Sequence, residues 1–368
     1  NSGTLNAGEE LVAAETFTQA DIGANRLRYT HSGTETASDS FQFDVSDGAG
    51  GNVLDTTFAI TVENLHWQQS IDISPHPAGW VPAGHGDFNA DGTTDLAWFN
   101  SATGNIDIWK LSNGTWAGSS DVGSHSPGYQ PVGFGDYNND GTDDILWFNP
   151  TTRDVDLWKI SNGQLGGSVN IGTHPADYDP VISGDFNGDG TSDVLWYNPT
   201  THHVDIWTLD NNGQLAGSVD VGPHPAGYTP ALAGDFNGDG TDDVLWYNPT
   251  NGHVDIWKMS NGTWAGSVDV GPHPLGWQPL GAADFSQDGT DDVAWHNPTT
   301  NNIDIWLLNN GQWTDSVSVG SHPPEGGSLP PQPVAALGVG DFDQNGVADI
   351  MWHDTGTDRI DNWLLAFD

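Results

Sequence analysis

Three observations predict an all-β chain closed into a six-bladed propeller of four-stranded blades. A loop rich in aspartate and glycine recurs six times at intervals of about fifty residues, and each copy runs directly into a short apolar strand carrying a tryptophan. The sixth unit stops after its third strand, at Ile360 to Leu365, while His66 to Ile73 reads like the fourth strand of a unit. Several short strands per unit at that period mark a radial β-array, and borrowing the first strand to finish the last blade leaves no free edge at the seam.

The loop is clearest in its fourth copy, Gly234-Asp235-Phe236-Asn237-Gly238-Asp239-Gly240-Thr241-Asp242-Asp243. Counting from Asp235, oxygen side chains fall on the first, third, fifth and ninth positions and a glycine on the sixth. Side chains on alternate residues of a tight turn converge on one point, and the glycine supplies the positive φ of that turn. An all-oxygen set of this kind suits a hard cation that takes six to eight oxygens at about 2.3–2.6 Å, with the seventh residue adding its carbonyl. The candidate ligands are Asp87, Asn89, Asp91, Thr93 and Asp95 in the first loop, and Asp136, Asn138, Asp140, Thr142 and Asp144 in the second. They are Asp185, Asn187, Asp189, Thr191 and Asp193 in the third, and Asp235, Asn237, Asp239, Thr241 and Asp243 in the fourth. The fifth offers Asp284, Ser286, Asp288, Thr290 and Asp292, and the sixth Asp341, Asp343, Asn345, Val347 and Asp349. About six calcium ions with a structural role are expected. Ser286 should make the fifth site the weakest, whereas Asp343 compensates for Asn345 in the sixth. Without metal, each carboxylate pair at about 4 Å repels by roughly 4 kcal/mol at an effective dielectric near 20, so the loops should open.

Composition narrows the function. Seven Lys and Arg against fifty Asp and Glu give a formal charge of −43, which repels nucleic acid and anionic membranes. The 18 tryptophans argue for a large packed interior rather than the disorder that acidity alone would suggest. With no cysteine, neither a disulfide framework nor a thiolate metal site is possible. No apolar run reaches the roughly 18 residues of a membrane span. Beginning at Asn1 without a leader, the chain reads as a piece of a longer multidomain protein. Millimolar calcium and an acidic surface suit a secreted or cell-surface location.

Residues 1–65 lack the repeat. Phe17, Ile22, Leu27 and Tyr29, then Phe41, Phe43 and Val45, then Phe58, Ile60 and Val62 mark three or four alternating strands, with Ser46 to Gly51 as a turn. The phrases from Phe17 to Ile22, Arg28 to His31 and Asp39 to Gly48 resemble the later half of the chondroitin-sulfate-proteoglycan type of cadherin-like repeat. That resemblance implies a tandem array upstream in a secreted or surface protein.

From residue 66 to 368 each unit holds four strands, in the fourth unit Ala231 to Phe236, Val244 to Asn248, Val254 to Met259 and Ala265 to Val270, joined by turn-forming links. Tryptophans recur on the second strand (Trp98, Trp147, Trp196, Trp246, Trp295, Trp352) and the third (Trp109, Trp158, Trp207, Trp257, Trp306, Trp363), where large rings fit blade-on-blade packing. The loop with its following strand resembles the FG-GAP and VCBS repeats of calcium-binding propellers. Many such relatives have seven blades, and this sequence carries six loops.

A second phrase recurs between units: His76-Pro77 with Trp80, His125 with Tyr129, His174 with Tyr178, His224 with Tyr228, and His273 with Trp277. Around His322 it dissolves into a longer Pro- and Gly-rich stretch. These notches lie on the face opposite the calcium loops and admit two readings. Sugar rings could stack on the aromatics while hydroxyls meet histidine and asparagine; alternatively, proline stiffens the crossover and the aromatic seals the blade junction. Zinc is disfavoured because one histidine per blade spreads them too far apart. Asp107, Asp156, Asp205, Asp255, Asp304 and Asp361 are expected to accept hydrogen bonds from backbone or indole groups, since catalysis needs one asymmetric site rather than six equal copies. The expected function is non-enzymatic adhesion or recognition, with glycans as the leading partner. The rival is a structural or protein-binding module of a surface array.

Overall fold

The computed structural model describes residues 38–46, 52–61, 65–73, 75–322 and 334–367. The chain divides into two units, residues 1–64 with Asp368, and Leu65–Phe367. In the first, β1 (Ser38–Ser46) and β2 (Asn52–Thr61) form an antiparallel hairpin with Phe41 opposite Phe58. The strands expected around Phe17 to Tyr29 lie outside the described residues.

The second unit is the six-bladed propeller. It begins with β3 (Leu65–Ile73). The first blade is β4 (Val81–Gly86), β5 (Asp95–Asn100), β6 (Asn105–Ser112) and β7 (Thr115–Ser124). The second is β8 (Gln130–Gly135), β9 (Asp144–Phe148), β10 (Asp154–Ser161) and β11 (Gln164–Thr173). The third is β12 (Asp179–Gly184), β13 (Asp193–Tyr197), β14 (His203–Leu209) and β15 (Leu215–Pro223). The fourth is β16 (Thr229–Gly234), β17 (Asp243–Tyr247), β18 (His253–Ser260) and β19 (Thr263–Pro272). The fifth is β20 (Gln278–Ala283), β21 (Asp292–Asn297), β22 (Asn302–Asn309) and β23 (Gln312–Ser321). The last is β24 (Val334–Gly340), β25 (Asp349–Asp354) and β26 (Arg359–Phe367), completed by β3. Trp363 stands opposite Ser70 and Leu65 opposite Phe367.

Burial follows strand order. The second strand of a blade is packed on both faces, so Asp243 to Tyr247 is buried throughout and reads as an unbroken apolar run after its aspartate. The third alternates, and the fourth is mostly exposed. The first strand starts two residues earlier than its apolar pattern suggests, at Thr229, and Phe236 belongs to the loop. Opposite each second-strand tryptophan of the first five blades stands a proline (Pro82, Pro131, Pro180, Pro230, Pro279), followed at once by a register shift. Proline has no N–H for the ladder, which suits it to a bulge. Ala336 takes that place in the last blade and the shift persists.

The cores lie between blades rather than within them. One joins Phe186, Leu195, Tyr197 and Ile206 of the third blade to Val244, Trp246, Trp257 and Met259 of the fourth. The closing seam is built likewise, with Ile73, Phe342, Met351 and Leu364 against Leu96, Trp98, Trp109 and Leu111. Every blade is therefore stabilised by its neighbour, and the ring stands or falls with its seam.

Removing residues 1–74 deletes β3 and exposes the edge of β26, which should lower the melting temperature and cause association. Removing residues 1–60 spares β3 and should change the melting of the ring little. Calorimetry and sedimentation on both truncations check this, and equal behaviour would contradict closure by β3.

Candidate functional site

Two sets of residues repeat around the ring. The links from first to second strand and from third to fourth share one end, and those from second to third share the other with the blade crossovers.

At the first end, the loops are organised by their own carboxylates. In the first loop, Asp87 accepts the N–H groups of Asn89, Asp91 and Gly92 at 3.3, 3.2 and 2.8 Å, and Asp91 accepts that of Thr93 at 2.9 Å. Gly92 has φ of 82° at the sixth position, as the turn requires. The ninth residue is fully buried in five loops and in the sixth: Asp95, Asp144, Asp193, Asp243, Asp292 and Asp349. One oxygen of each accepts a third-strand N–H, as Asp95 does from Leu111 at 2.8 Å. In the first, second and fourth loops the other takes the amide of the third residue, from Asn89 at 2.8 Å, Asn138 at 2.6 Å and Asn237 at 2.8 Å. Thr142 and Thr290 donate their hydroxyls to the carbonyls of Ile160 and Leu308, which fixes the seventh residue against the third strand.

Burial pushes Asp95, Asp144, Asp243 and Asp292 up to about 7, and Asp193 and Asp349 up to about 8. Desolvation is the main cause, and the other carboxylates of each loop add to it against the opposing N–H bonds. Two observations fit a hard cation. In the third loop, Asp193 Oδ2 and Asn187 Oδ1 are both buried acceptors without a donor. In the sixth, one carboxylate oxygen from each of Asp341, Asp343 and Asp349 lies within 4.8 Å of the others. In the fifth, Ser286 Oγ is buried without a partner.

A residue that the ligand pattern passes over ties five of the six loops to the next blade. The N–H of the eighth residue donates to the carbonyl of the preceding blade's first aspartate: Asp143 to Asp87, Ser192 to Asp136, Asp242 to Asp185, Asp291 to Asp235, and Thr94 to Asp341, all at 2.8 or 2.9 Å. Asp143, Asp242 and Asp291 also accept the first aspartate's N–H, at 2.7, 2.8 and 2.9 Å. A Cβ on Gly86, Gly184, Gly234 or Gly340 would collide with these side chains. Where the eighth residue is Ala348, the preceding blade carries Ala283 in place of glycine. That exchange was the signal available in the sequence.

At the other end, the histidines are fasteners. Each backbone N–H of His125, His174, His224, His273 and His322 donates to the preceding blade's turn, for instance His224 to the His202 carbonyl at 3.0 Å. Each ring crosses to the following blade. His76 Nε2 lies 3.0 Å from Asp107, His125 3.2 Å from Asp156, His174 2.9 Å from Asp205, His224 2.9 Å from Asp255, His273 3.3 Å from Asp304 and His322 2.7 Å from Asp361. The expectation that these aspartates serve backbone or indole groups is thus corrected: their principal partner is imidazole. All six histidines are buried. His224 stacks on Trp246 at 4.1 Å and 14°. Trp80, Tyr129, Tyr178, Tyr228 and Trp277 lean on their histidines at 4.1 to 5.2 Å between centroids and remain half-buried. Each notch therefore offers solvent part of one aromatic ring, its imidazole being engaged behind it.

Segments 87–147, 185–246, 235–295 and 284–352 match the FG-GAP-like repeat, together more than half of the chain. The chain belongs to the FG-GAP-like repeat family. Residues 1–62 match the Cadherin-like family. No curated protein matches. Among solved structures, this FG-GAP-like chain is similar to a lectin of Agrocybe aegerita described in specific recognition of non-reducing terminal N-acetylglucosamine, at 15% identity and TM-score 0.53, covering 79% of this chain and 80% of that one. It is also similar to the Tc holotoxin pore of Photorhabdus luminescens, at 16% identity and TM-score 0.53, covering 94% of this chain and 18% of that one. Regucalcin, a calcium-binding protein of Agrobacterium tumefaciens, is similar at 9% identity and TM-score 0.50, covering 81% of this chain and 96% of that one. At these identities the likeness is one of fold. Among the described residues no helix is long and apolar enough to cross a membrane.

Gly86→Ala should destabilise the ring through collision with Asp143, and adding Asp143→Ala should recover part of the loss. Denaturant midpoints of the two single variants and the double variant measure the coupling, and strict additivity would rule out the tie between loop and next blade.

The raised carboxylates set a pH dependence with a definite sign. Their folded pKa values exceed the unfolded value near 4, so the metal-free fold holds extra protons; this stability is present below about pH 4 and is lost as pH rises towards 8. Calcium favours the ionised form and should remove that decline. Unfolding free energies at about pH 5 and pH 8, in chelator and in calcium, test it; a metal-free protein more stable at the higher pH would overturn the assignment.

Proposed function

We propose that this chain is an extracellular, calcium-braced, non-catalytic recognition module that holds neutral glycans on its crossover face by repeated weak contacts. The observation that carries the reading is the row of half-buried aromatic rings, Trp80, Tyr129, Tyr178, Tyr228 and Trp277, at one position of consecutive blades, each backed by a buried histidine and tryptophan. A ring already fixed in place loses little freedom when a sugar stacks on it. Likeness of fold to a lectin supports the same reading. The loops bind calcium, up to one ion each, and brace the blade junctions. Equal use of all six histidine–aspartate pairs as fasteners favours binding over catalysis. Repetition supplies affinity, because sites that engage one multivalent surface gain by effective concentration.

The second reading is a structural or protein-binding module of a multidomain surface protein, which the cadherin-like segment and the engaged histidines favour. Tyr228→Ala separates the two. On the glycan reading, retention on a neutral-glycan surface falls clearly, while stability falls by less than the roughly 3–5 kcal/mol of a fully buried aromatic. Glycan-array binding and melting temperature are measured on parent and variant in calcium. A parent protein that retains no glycan sinks the reading and leaves the structural module.

A further inference from the structure

The most exposed tryptophans stand on the outer wall of the ring, at one equivalent position of the fourth strand. Trp116 on β7, Trp264 on β19, Trp313 on β23 and Trp67 on β3 are 52%, 51%, 49% and 42% exposed. Each lies opposite the corresponding third-strand residue, Leu111, Met259, Leu308 and Leu365, beside a register shift. The four blades concerned are consecutive around the closed ring: fourth, fifth, sixth and first. The other two carry Leu165 and Leu215 at this position, opposite Ile160 and Leu209. Every exposed indole is held against the third-strand tryptophan beneath it, at 6.4 Å for Trp116 on Trp109, 6.4 Å for Trp264 on Trp257, 6.3 Å for Trp313 on Trp306 and 6.0 Å for Trp67 on Trp363.

We infer that this arc is a binding surface for a neutral polysaccharide chain, separate from the crossover face and independent of what binds there. Exposed indole is a large apolar platform that soluble surfaces seldom repeat without use. Among the flanking residues, Gln312 and Gln68 offer amide donors and acceptors, and Thr115, Thr263 and Thr314, whose hydroxyls donate to main-chain carbonyls, offer acceptor oxygens, the complement of a sugar's hydroxyl rim. Charge selects among long partners. At −43 the chain repels polyanions and a second copy of itself, and the uncharged residues that adjoin the four indoles suit an uncharged polymer rather than a cationic one. Repetition over consecutive blades suits a ligand that is itself a repeat.

The two leucine blades prescribe the test. Trp→Leu at positions 67, 116, 264 and 313 installs a side chain the fold already accepts at this place, so melting should be unchanged. The probes are insoluble cellulose, chitin and β-1,3-glucan, with the full chain in calcium. The parent should be retained by at least one matrix, insensitively to salt; each single substitution should weaken retention about two- to tenfold, and the fourfold variant by at least about a hundredfold. The fold-loss caused by the tryptophan substitutions should be the same in the presence and absence of Tyr228→Ala, which keeps the result distinct from that of the crossover face. No retention of the parent on any matrix, or equal retention of parent and fourfold variant, overturns the inference. Should the fourfold variant melt early, W264L and W313L alone decide by the same criterion. A parent that self-associates through the arc, with no matrix retention, would assign it to protein contact and overturn it as well.

Discussion

Everything in the ring rests on the enclosure of the second-strand tryptophan. Trp246 is 0% exposed and meets three rings: His224 stacked at 4.1 Å, Trp257 at 5.0 Å, and the edge of Tyr197 from the preceding blade at 5.7 Å. The edge contact repeats as Phe99 on Trp147, Phe148 on Trp196, Tyr247 on Trp295 and His296 on Trp352, and His353 on Trp98 closes the circle. A buried indole removes about 150–250 Å² from water, on the order of 4–6 kcal/mol at 25 cal/mol per Å². Because the burying surface comes from two blades, that energy is available only to neighbours in register.

The two ends of each blade convert this packing into linkage. At one end the first aspartate serves both its own loop and the N–H of the next blade's eighth residue, so the geometry that gathers metal ligands also positions a junction. At the other, one histidine gives its backbone to the blade behind and its ring to the blade ahead. An ion held on a single loop would thereby reach an interface, and a change at one crossover is felt by two sheets. Repetition multiplies small local energies into one cooperative closure.

Much of this was legible in the sequence. The loop period, the paired tryptophans and the unfinished sixth unit define blade number and closure, because each is a feature at fixed spacing. The third-strand aspartates were harder to interpret: their partners are histidines 31 residues earlier, or 39 at Asp361, brought near by the turn of one blade on the next. Spacing alone carries no sign of such a pairing. The eighth loop residue falls outside a ligand pattern because its role is to the neighbouring blade, although the paired change to Ala283 and Ala348 signals contact. Sequence does not tell the wall tryptophans from packing rings, since periodicity gives the face of a strand but not whether another blade covers it. Their interruption by Leu165 and Leu215 was the readable clue.

The pairing of Leu65 with Phe367 places both ends of the propeller's described chain at the same end of one strand pair. Tension applied between these two residues would act across β3 and β26 rather than along them, opening their hydrogen bonds one after another instead of shearing them together. A ring whose blades share their cores is thus mechanically soft along this single axis. Once β3 peels away, Ile73 leaves the seam it shares with Leu96 and Trp98, and the neighbouring junction loses part of its packing. Under pull, the closure that seals the circle becomes its release.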